Sequence, residues 1–471
     1  MPRFLLFLLL LLPAFPGWLI QAEPTTVSGN ASAYSGMQLV FYRTSDWISG
    51  TEKIAGQCQI SDSGDFQLVI ALEGTTRLFA YLGIYKGYFF AEPGKSYQLV
   101  LPEKRDKSQE DLLNPYFEPV ELQLGLANFN SADLNMLIAM FDDAYIPFYD
   151  KYVNSIYNKP DLMRLEEDIK QMELPFKDDQ NDFFRAYRQY HYGMLKMLTK
   201  QQGTQSLSDE FFNNRRVLYE NPSYAELFNQ VFDKYFIFIG RTGAGKQIYA
   251  DINQTGSYRD LLHTLSGSDN ISNDTLTELV VLKQIHDEFY SNQFSRNGLL
   301  SILDSLCLTT RVEEHNVIGR NIKYKITRLQ PGYAPPQFEL RDTDGNLVKL
   351  SDFKGKYVYL NFCTCQSYTC LNEFNMLAGL HKRHGNRLSI ITIATDPMEE
   401  VLRQFLVKNQ YDWKFLHYDN QPEILKDYDI RAFPTYFLIG PDGNLIFSPA
   451  LSPAENFETK LFETMRSRGD L

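Results

Sequence analysis

The sequence predicts a multidomain chain with an N-terminal β-sandwich, a central α-helical region and a C-terminal α/β unit. Three observations carry this expectation. Short alternating apolar runs fill residues 27–102. Apolar and aromatic residues then recur at helical spacing over 126–328. From residue 338 onward, runs of branched residues alternate with helical patterns. A length of 471 residues suffices for about three domains, and the 44% hydrophobic content is that of an ordinary globular protein.

In chain order, Met1-Pro-Arg3 and the apolar run from Phe4 to Leu12 read as a secretory signal over residues 1–22, with Ile20-Gln21-Ala22 as the cleavage site. A retained anchor is the alternative, but the run is short and is broken by Pro13 and Pro16. No long apolar segment follows. A mature chain without a transmembrane segment, placed in the periplasm or cell envelope, is therefore expected. No cysteine stands near the cleavage point, which argues against a lipid anchor. Loss of Arg3 moves the formal charge from -12 to -13, and an acidic chain is poorly suited to nucleic acid. Export also puts all five cysteines where disulfides persist; because five is odd, at least one is free or bound to something else.

Residues 23–125 form the expected sandwich. Met37 to Tyr42 and Phe66 to Ala71 alternate, with turn residues at Asp62-Ser-Gly-Asp65 and Glu92-Pro-Gly94. Residues 126–330 form the helical region. Tyr145, Phe148, Tyr149, Tyr152 and Ile156 share one helical face, as do Phe184, Tyr187, Met194 and Leu198, and both stripes read as core. Thr275-Leu-Thr-Glu278 reads as a capping box. His191 and His286 lie on or beside apolar stripes and read as satisfied core histidines. Cys58, in a strand, and Cys307, on an apolar helix, read as small hydrophobes. Gly240-Arg-Thr-Gly-Ala-Gly245-Lys246 has the spacing of a phosphate-binding loop. Gln247 stands where such a loop needs Ser or Thr for Mg²⁺, so a glycine-rich connection is the reading adopted, with no nucleotide.

Pro331 to Pro336 is a linker, and residues 331–471 form the last unit. A leading hairpin spans Phe338 to Leu350. Val358 to Phe362 is a buried strand, and Leu371, Phe374, Leu377 and Leu380 mark the helix after it. Between them, Cys363, Cys365 and Cys370 sit on a strand-to-helix turn, where free N–H groups and the helix dipole favour a thiolate. Arg387 to Ala394 is a second strand. Asp396-Pro397-Met398-Glu399 reads as the start of a helix with Asp396 as cap, and Trp413 to His417 as a third strand. Phe433 to Ile439 and Asn444 to Phe447 make a hairpin around Gly440-Pro-Asp-Gly443. Strand, helix, strand, helix, strand, short helix, hairpin, helix is the order of the thioredoxin fold.

The last third of the chain resembles the exported thioredoxin-like family of the TlpA/ResA type, within the AhpC/TSA group. The resemblance rests on Gly355-Lys356-Tyr357-Val358, on Cys370-Leu-Asn-Glu373-Phe374 and on Ala432-Phe433-Pro434-Thr435, which is similar to the family's cis-proline loop. Residues 23–125 resemble the β-sandwich of unknown function that often precedes such modules. The resemblance implies thiol-disulfide oxidoreductase activity, partner proteins of the envelope with thiols or disulfides, and no cofactor. It places Glu373 as a proton shuttle and Phe433, Pro434 and Thr435 at the partner-binding edge. The family's Trp-Cys-x-x-Cys falls on Gln366-Ser367-Tyr368-Thr369-Cys370, so Ser367 replaces the attacking cysteine. A serine hydroxyl stays protonated and cannot take the thiolate's part.

Several readings of the turn therefore stand together. Cys365 attacks a partner's disulfide and Cys370 resolves it, or a fixed Cys365 to Cys370 bridge staples the turn. Alternatively the fold is redox-silent and binds through the Phe433 and Pro434 loop, or Cys363, Cys365 and Cys370 hold Cu(I), with a histidine such as His417. A peroxidase reading is the poorest fit, because Cys363 occupies the position where that chemistry needs proline. His381 and His384, at a helix end, are expected to meet its terminal carbonyls. For Glu373, an exposed helix carboxylate is the alternative to the proton shuttle.

Overall fold

A computed structural model describes residues 22–471 apart from 109, 112–113, 115, 129, 131, 155–161, 199–202, 244, 268–270, 272, 397 and 419–420. The expected signal, Ile156 and Pro397 fall outside the described residues, except that Ala22 is within them. Among the described residues, no helix is long and apolar enough to cross a membrane.

The first strands are β1 (Glu23–Asn30), β2 (Gln38–Thr44), β3 (Glu52–Gln59), β4 (Asp65–Leu72), β5 (Thr76–Leu82), β6 (Tyr85–Ala91), β7 (Ser96–Val100), β8 (Val120–Gln123) and β9 (Gly125–Leu126). They form one sheet in the order β4-β1-β7-β9 and another in the order β3-β2-β5-β6-β8. Alternation explains the layering. Phe66, Leu68, Ile70 and Leu72 of β4 point inward while their neighbours face solvent, and they meet Leu39, Phe41, Phe89 and Tyr97 in one core. The turn before β4 needs a glycine: Gly64 has φ +88, and a Cβ there would come within 2.6 Å of the Ser32 nitrogen.

Helices from Leu134–Asn154 to Glu313–Thr327 follow. Tyr145, Tyr152, Phe184, Tyr187 and Met194 are buried, so both aromatic stripes pack inside. Each fully buried side chain of this kind is worth about 1.5–3 kcal/mol. Asn135 joins this region to the second sheet: its amide accepts from Phe90 N at 2.7 Å and donates to Phe90 O at 2.9 Å.

The capping-box reading is corrected here. Asn273, two residues earlier than expected, caps the helix Asp274–Glu288 by accepting from Leu276 N at 2.7 Å. Thr275 lies inside the helix, and Glu278 turns instead to His315 Nδ1 at 2.8 Å. The apolar run before Gly240 is the helix Tyr235–Gly240, and Gly245 packs on the Ile239 backbone. His191 is a core histidine: its Nδ1 lies 2.8 Å from Tyr187 O, and burial pushes its pKa down to about 4. His286, half-buried like His191, instead meets a side chain, Asp287 Oδ1 at 2.9 Å. Cys58 and Cys307 are partly buried against their cores.

The last unit begins with a hairpin of β10 (Glu339–Arg341) and β11 (Leu347–Lys349). It continues through β12 (Tyr357–Cys363), α1 (Tyr368–His384), β13 (Leu388–Ala394), α2 (Glu399–Asn409), β14 (Lys414–His417), α3 (Pro422–Asp427), β15 (Thr435–Ile439), β16 (Leu445–Ala450) and α4 (Phe457–Arg468). The main sheet runs β14-β13-β12-β15-β16, with β12 parallel to β13 and antiparallel to β15. Every residue of β12 is buried, as expected for a central strand covered on both faces. Tyr357, Tyr359 and Cys363 pack with Phe374 and Leu377 of α1, while Val358, Leu360 and Phe362 pack with Ile424 and Tyr428. The linker closes onto the edge of the unit, where Gly332 N donates to Leu445 O at 2.7 Å.

Candidate functional site at the cysteine turn

Parallel pairing brings the ends of β12 and β13 level, with Cys363 opposite Ala394. Segments leaving the two strands therefore meet at the C-terminal ends of the parallel pair, which is where open α/β sheets place their sites. From β12 come Thr364, Cys365 and Gln366, leading into α1. From β13 come Thr395 and Asp396. The antiparallel partner of Phe362 is Thr435, so the register carries Pro434 to the level of Cys363. The Phe433-Pro434 peptide is cis.

Asp396 does not cap α2. That helix starts after Met398 with no side-chain cap. The fully buried Asp396 carboxylate instead holds the cysteine turn. Oδ1 accepts from Thr364 Oγ1 at 2.8 Å, and Cys365 N donates to Oδ1 and Oδ2 at 3.1 and 3.0 Å. Thr395 N fixes the Cys363 carbonyl at 2.9 Å, and His417 Nε2 lies 2.7 Å from the Asp396 carbonyl oxygen. Sequence reasoning missed this role because the partner lies 31 residues from Cys365. The available signal was that Asp396 directly follows a strand predicted to lie beside the cysteine strand.

The three thiols differ in setting. All are unpaired as disulfides; Cys363 and Cys370 are buried, and Cys365 is half-buried. Ser367 is the N-cap of α1, accepting from Cys370 N at 3.4 Å, so Cys370 sits in the first turn. The Cys363 thiol donates to the Cys370 sulfur and holds its pKa below the usual thiol range, against burial; Thr364 N–H and the Ser367 hydroxyl assist. Burial pushes Cys363 well up. Burial and the Asp396 carboxylate, which accepts from the thiol, push Cys365 up. Of the three thiols, the one shifted down is thus fully buried.

Glu373 is 7% exposed, which overturns the exposed-carboxylate alternative. Tyr436 OH donates to its Oε2 at 2.6 Å. Phe433, Pro434 and Thr435 are half-buried beside the turn, and Thr435 Oγ1 donates to Ala432 O at 2.6 Å. His384 Nε2 lies 2.6 Å from Glu458 Oε1 of α4 rather than on its own helix carbonyls. Among the described residues, no three His, Cys, Asp or Glu side chains are grouped so as to hold a metal ion.

Residues 331–448 match the AhpC/TSA family. Over 124 residues, the chain is 33% identical to the thiol-disulfide oxidoreductase ResA of Bacillus thuringiensis subsp. konkukian, covering 26% of this chain and 70% of the relative. It is 27% identical over 118 residues to the thioredoxin-like protein YneN of Bacillus subtilis, covering 24% of this chain and 68% of that one. A solved thioredoxin domain of a thiol-disulfide oxidoreductase from Bacteroides vulgatus is 26% identical, covering 28% of this chain and 96% of that one, with a TM-score of 0.27. Through its C-terminal quarter, the chain belongs to the AhpC/TSA family of thioredoxin-like proteins, with ResA-type thiol-disulfide oxidoreductases among its relatives.

Proposed function

We propose that this chain is an exported protein of the cell envelope that exchanges disulfides with partner proteins through Cys365 and Cys370, with Ser367 at the site of the family's attacking thiol. The observation that carries the reading is the contrast between the two sulfurs. Cys365 reaches solvent, while Cys370 lies buried beneath it with its thiolate stabilised. Cys365 forms the mixed disulfide with a partner, and Cys370 closes the internal bond that releases it. The half-buried edge of Phe433, Pro434 and Thr435 is the partner's docking strip, and buried Glu373 relays a proton near Cys370. Export rests on the N-terminal signal pattern.

The turn's own chemistry favours one second reading, a redox-silent binding fold. Ser367 serves as a helix cap without any thiol function. Differential alkylation across a glutathione series separates the two readings. Interconversion of Cys365 and Cys370 between thiol and disulfide is the expected result, and a single state at every ratio leaves the binding fold.

A further inference from the structure

We propose that the cleft between the β-sandwich and the helical region binds short apolar peptides by their two free termini, at a site separate from the cysteine turn. The cleft has a volume of about 730 Å³, within the range of preformed small-ligand pockets, and no residue of 331–471 lines it. Its floor is apolar, made of the buried side chains of Val217, Tyr224, Phe228, Leu279 and Ile318. One wall is the turn between β2 and β3, and hydrogen bonds seat that turn on the helices. Asp46 Oδ2 accepts from Asn321 Nδ2 at 2.8 Å, Asn229 Nδ2 donates to the Trp47 carbonyl at 3.3 Å, and Lys325 Nζ donates to the Ser49 carbonyl. A wall already seated leaves a ligand little ordering entropy to overcome.

The charges around this floor identify the ligand. Asp182 and Glu313 on the rim are paired with Arg185 and Arg320. Among the described residues, the side chains of Glu73, Glu220 and Glu314 form no ion pair or hydrogen bond, and neither do those of Arg43, Lys53 and Arg216. Like charges are set together. Arg43 of β2 stands directly opposite Lys53 of β3, a repulsive cross-strand pair on one face of the sheet. On the helical wall, Glu220 feels Glu73 and Glu314 as like charges, and Arg43 attracts it across the cleft without pairing with it. A ligand carboxylate at Arg43 and Lys53 and a ligand ammonium at Glu220 relieve both repulsions together.

Tyr219 adds direction. Glu278 Oε2 lies 2.8 Å from His315 Nδ1 and accepts from Thr310 Oγ1 at 2.7 Å. Burial draws the His315 pKa down and keeps the ring neutral, so Nδ1 carries the proton and Nε2 accepts from Tyr219 OH at 2.9 Å. Tyr219 lines the cleft, and with its proton committed to His315 it offers a ligand only an acceptor, which suits an ammonium. An apolar body bearing one ammonium and one carboxylate is a short peptide with free ends. A tripeptide, about 10 Å long when extended, represents the class.

The test incubates the full chain with random tripeptide mixtures, removes unbound peptide by ultrafiltration and measures what is retained by mass spectrometry. Three mixtures are compared: free termini, N-acetylated and C-amidated. Apolar members of the free mixture are expected to be retained, and either block is expected to reduce retention by about tenfold. Glu220→Gln is expected to weaken retention of the free mixture by about tenfold and to leave the N-acetylated mixture unchanged; Arg43→Gln does the same with the C-amidated mixture. Absence of any retained free tripeptide, or equal retention of free and blocked mixtures, overturns the inference on the native chain, so it can fail whether or not a variant folds. Retention that follows side-chain charge rather than the termini overturns it too, as do folded variants that hold the free mixture as well as the native chain does. Disulfide exchange at Cys365 and Cys370 stands or falls separately, because the cleft shares no residue with the cysteine turn.

Discussion

The two ends of the cysteine turn hold the same side chain and treat it oppositely. At the Cys365 end, burial and then a carboxylate that accepts from the Cys365 N–H push the thiol pKa up. At the Cys370 end, a thiol, a backbone N–H and a hydroxyl all donate to the sulfur, at the start of a helix, and its pKa is drawn down. Five residues apart, acceptor and donors produce opposite chemistry. At Cys370 the donors outweigh burial, since the thiol that is shifted down is fully buried.

The largest expected effect comes from Cys370→Ala. Of the five cysteines, Cys370 alone is shifted down, while Cys58, Cys307, Cys363 and Cys365 are shifted up. Thiolate absorbance of the reduced native chain is therefore expected to show one early step below the free-thiol range, with the other four above it. Cys370→Ala removes that early step entirely and, with it, any internal disulfide to Cys365. An early step that survives the substitution would falsify the comparison.

Ser367→Cys sharpens the contrast from the other side. It places a thiol at the helix start while preserving the rest of the Cys370 end, and is expected to raise turnover in an insulin reduction assay by about tenfold. No gain would mean that the docking edge, and not the missing sulfur, limits exchange. Tyr436→Phe removes the donor to buried Glu373 and is expected to cost about 2 kcal/mol in urea unfolding. Ser367→Ala is the mildest change. Its loss of a long N-cap contact is expected to cost about 0.5–1 kcal/mol, measured the same way.

What was legible in the sequence is what neighbours in the chain decide. The branched run ending at Cys363, the apolar spacing after it and the alternation of Phe66 to Ala71 fixed strand, helix and half-buried strand without knowledge of their partners. The cis-proline loop came from family resemblance, and so did the expectations for Glu373 and for Ser367 at the attacking position. What remained hidden is what the sheet brings together from afar. Asp396 reads locally as a helix cap, and only the parallel pairing of β12 with β13 turns it toward Cys365. Tyr436, 63 residues from Glu373, is concealed for the same reason. The Asn273 cap shows a different limit: an asparagine two residues ahead of Thr275 takes the cap, and the capping-box pattern falls inside the helix.

The complete burial of Cys370 has a consequence for time as well as for chemistry. A sulfur at 0% exposure meets a reagent only when the first turn of α1 opens, so its labelling rate is the intrinsic thiolate rate multiplied by an opening equilibrium constant. Comparison with the same peptide unfolded converts that ratio into the free energy of opening at the helix start. The turn therefore carries its own gauge: any partner that loosens the helix start to reach the inner sulfur will quicken Cys370 labelling before any disulfide has exchanged.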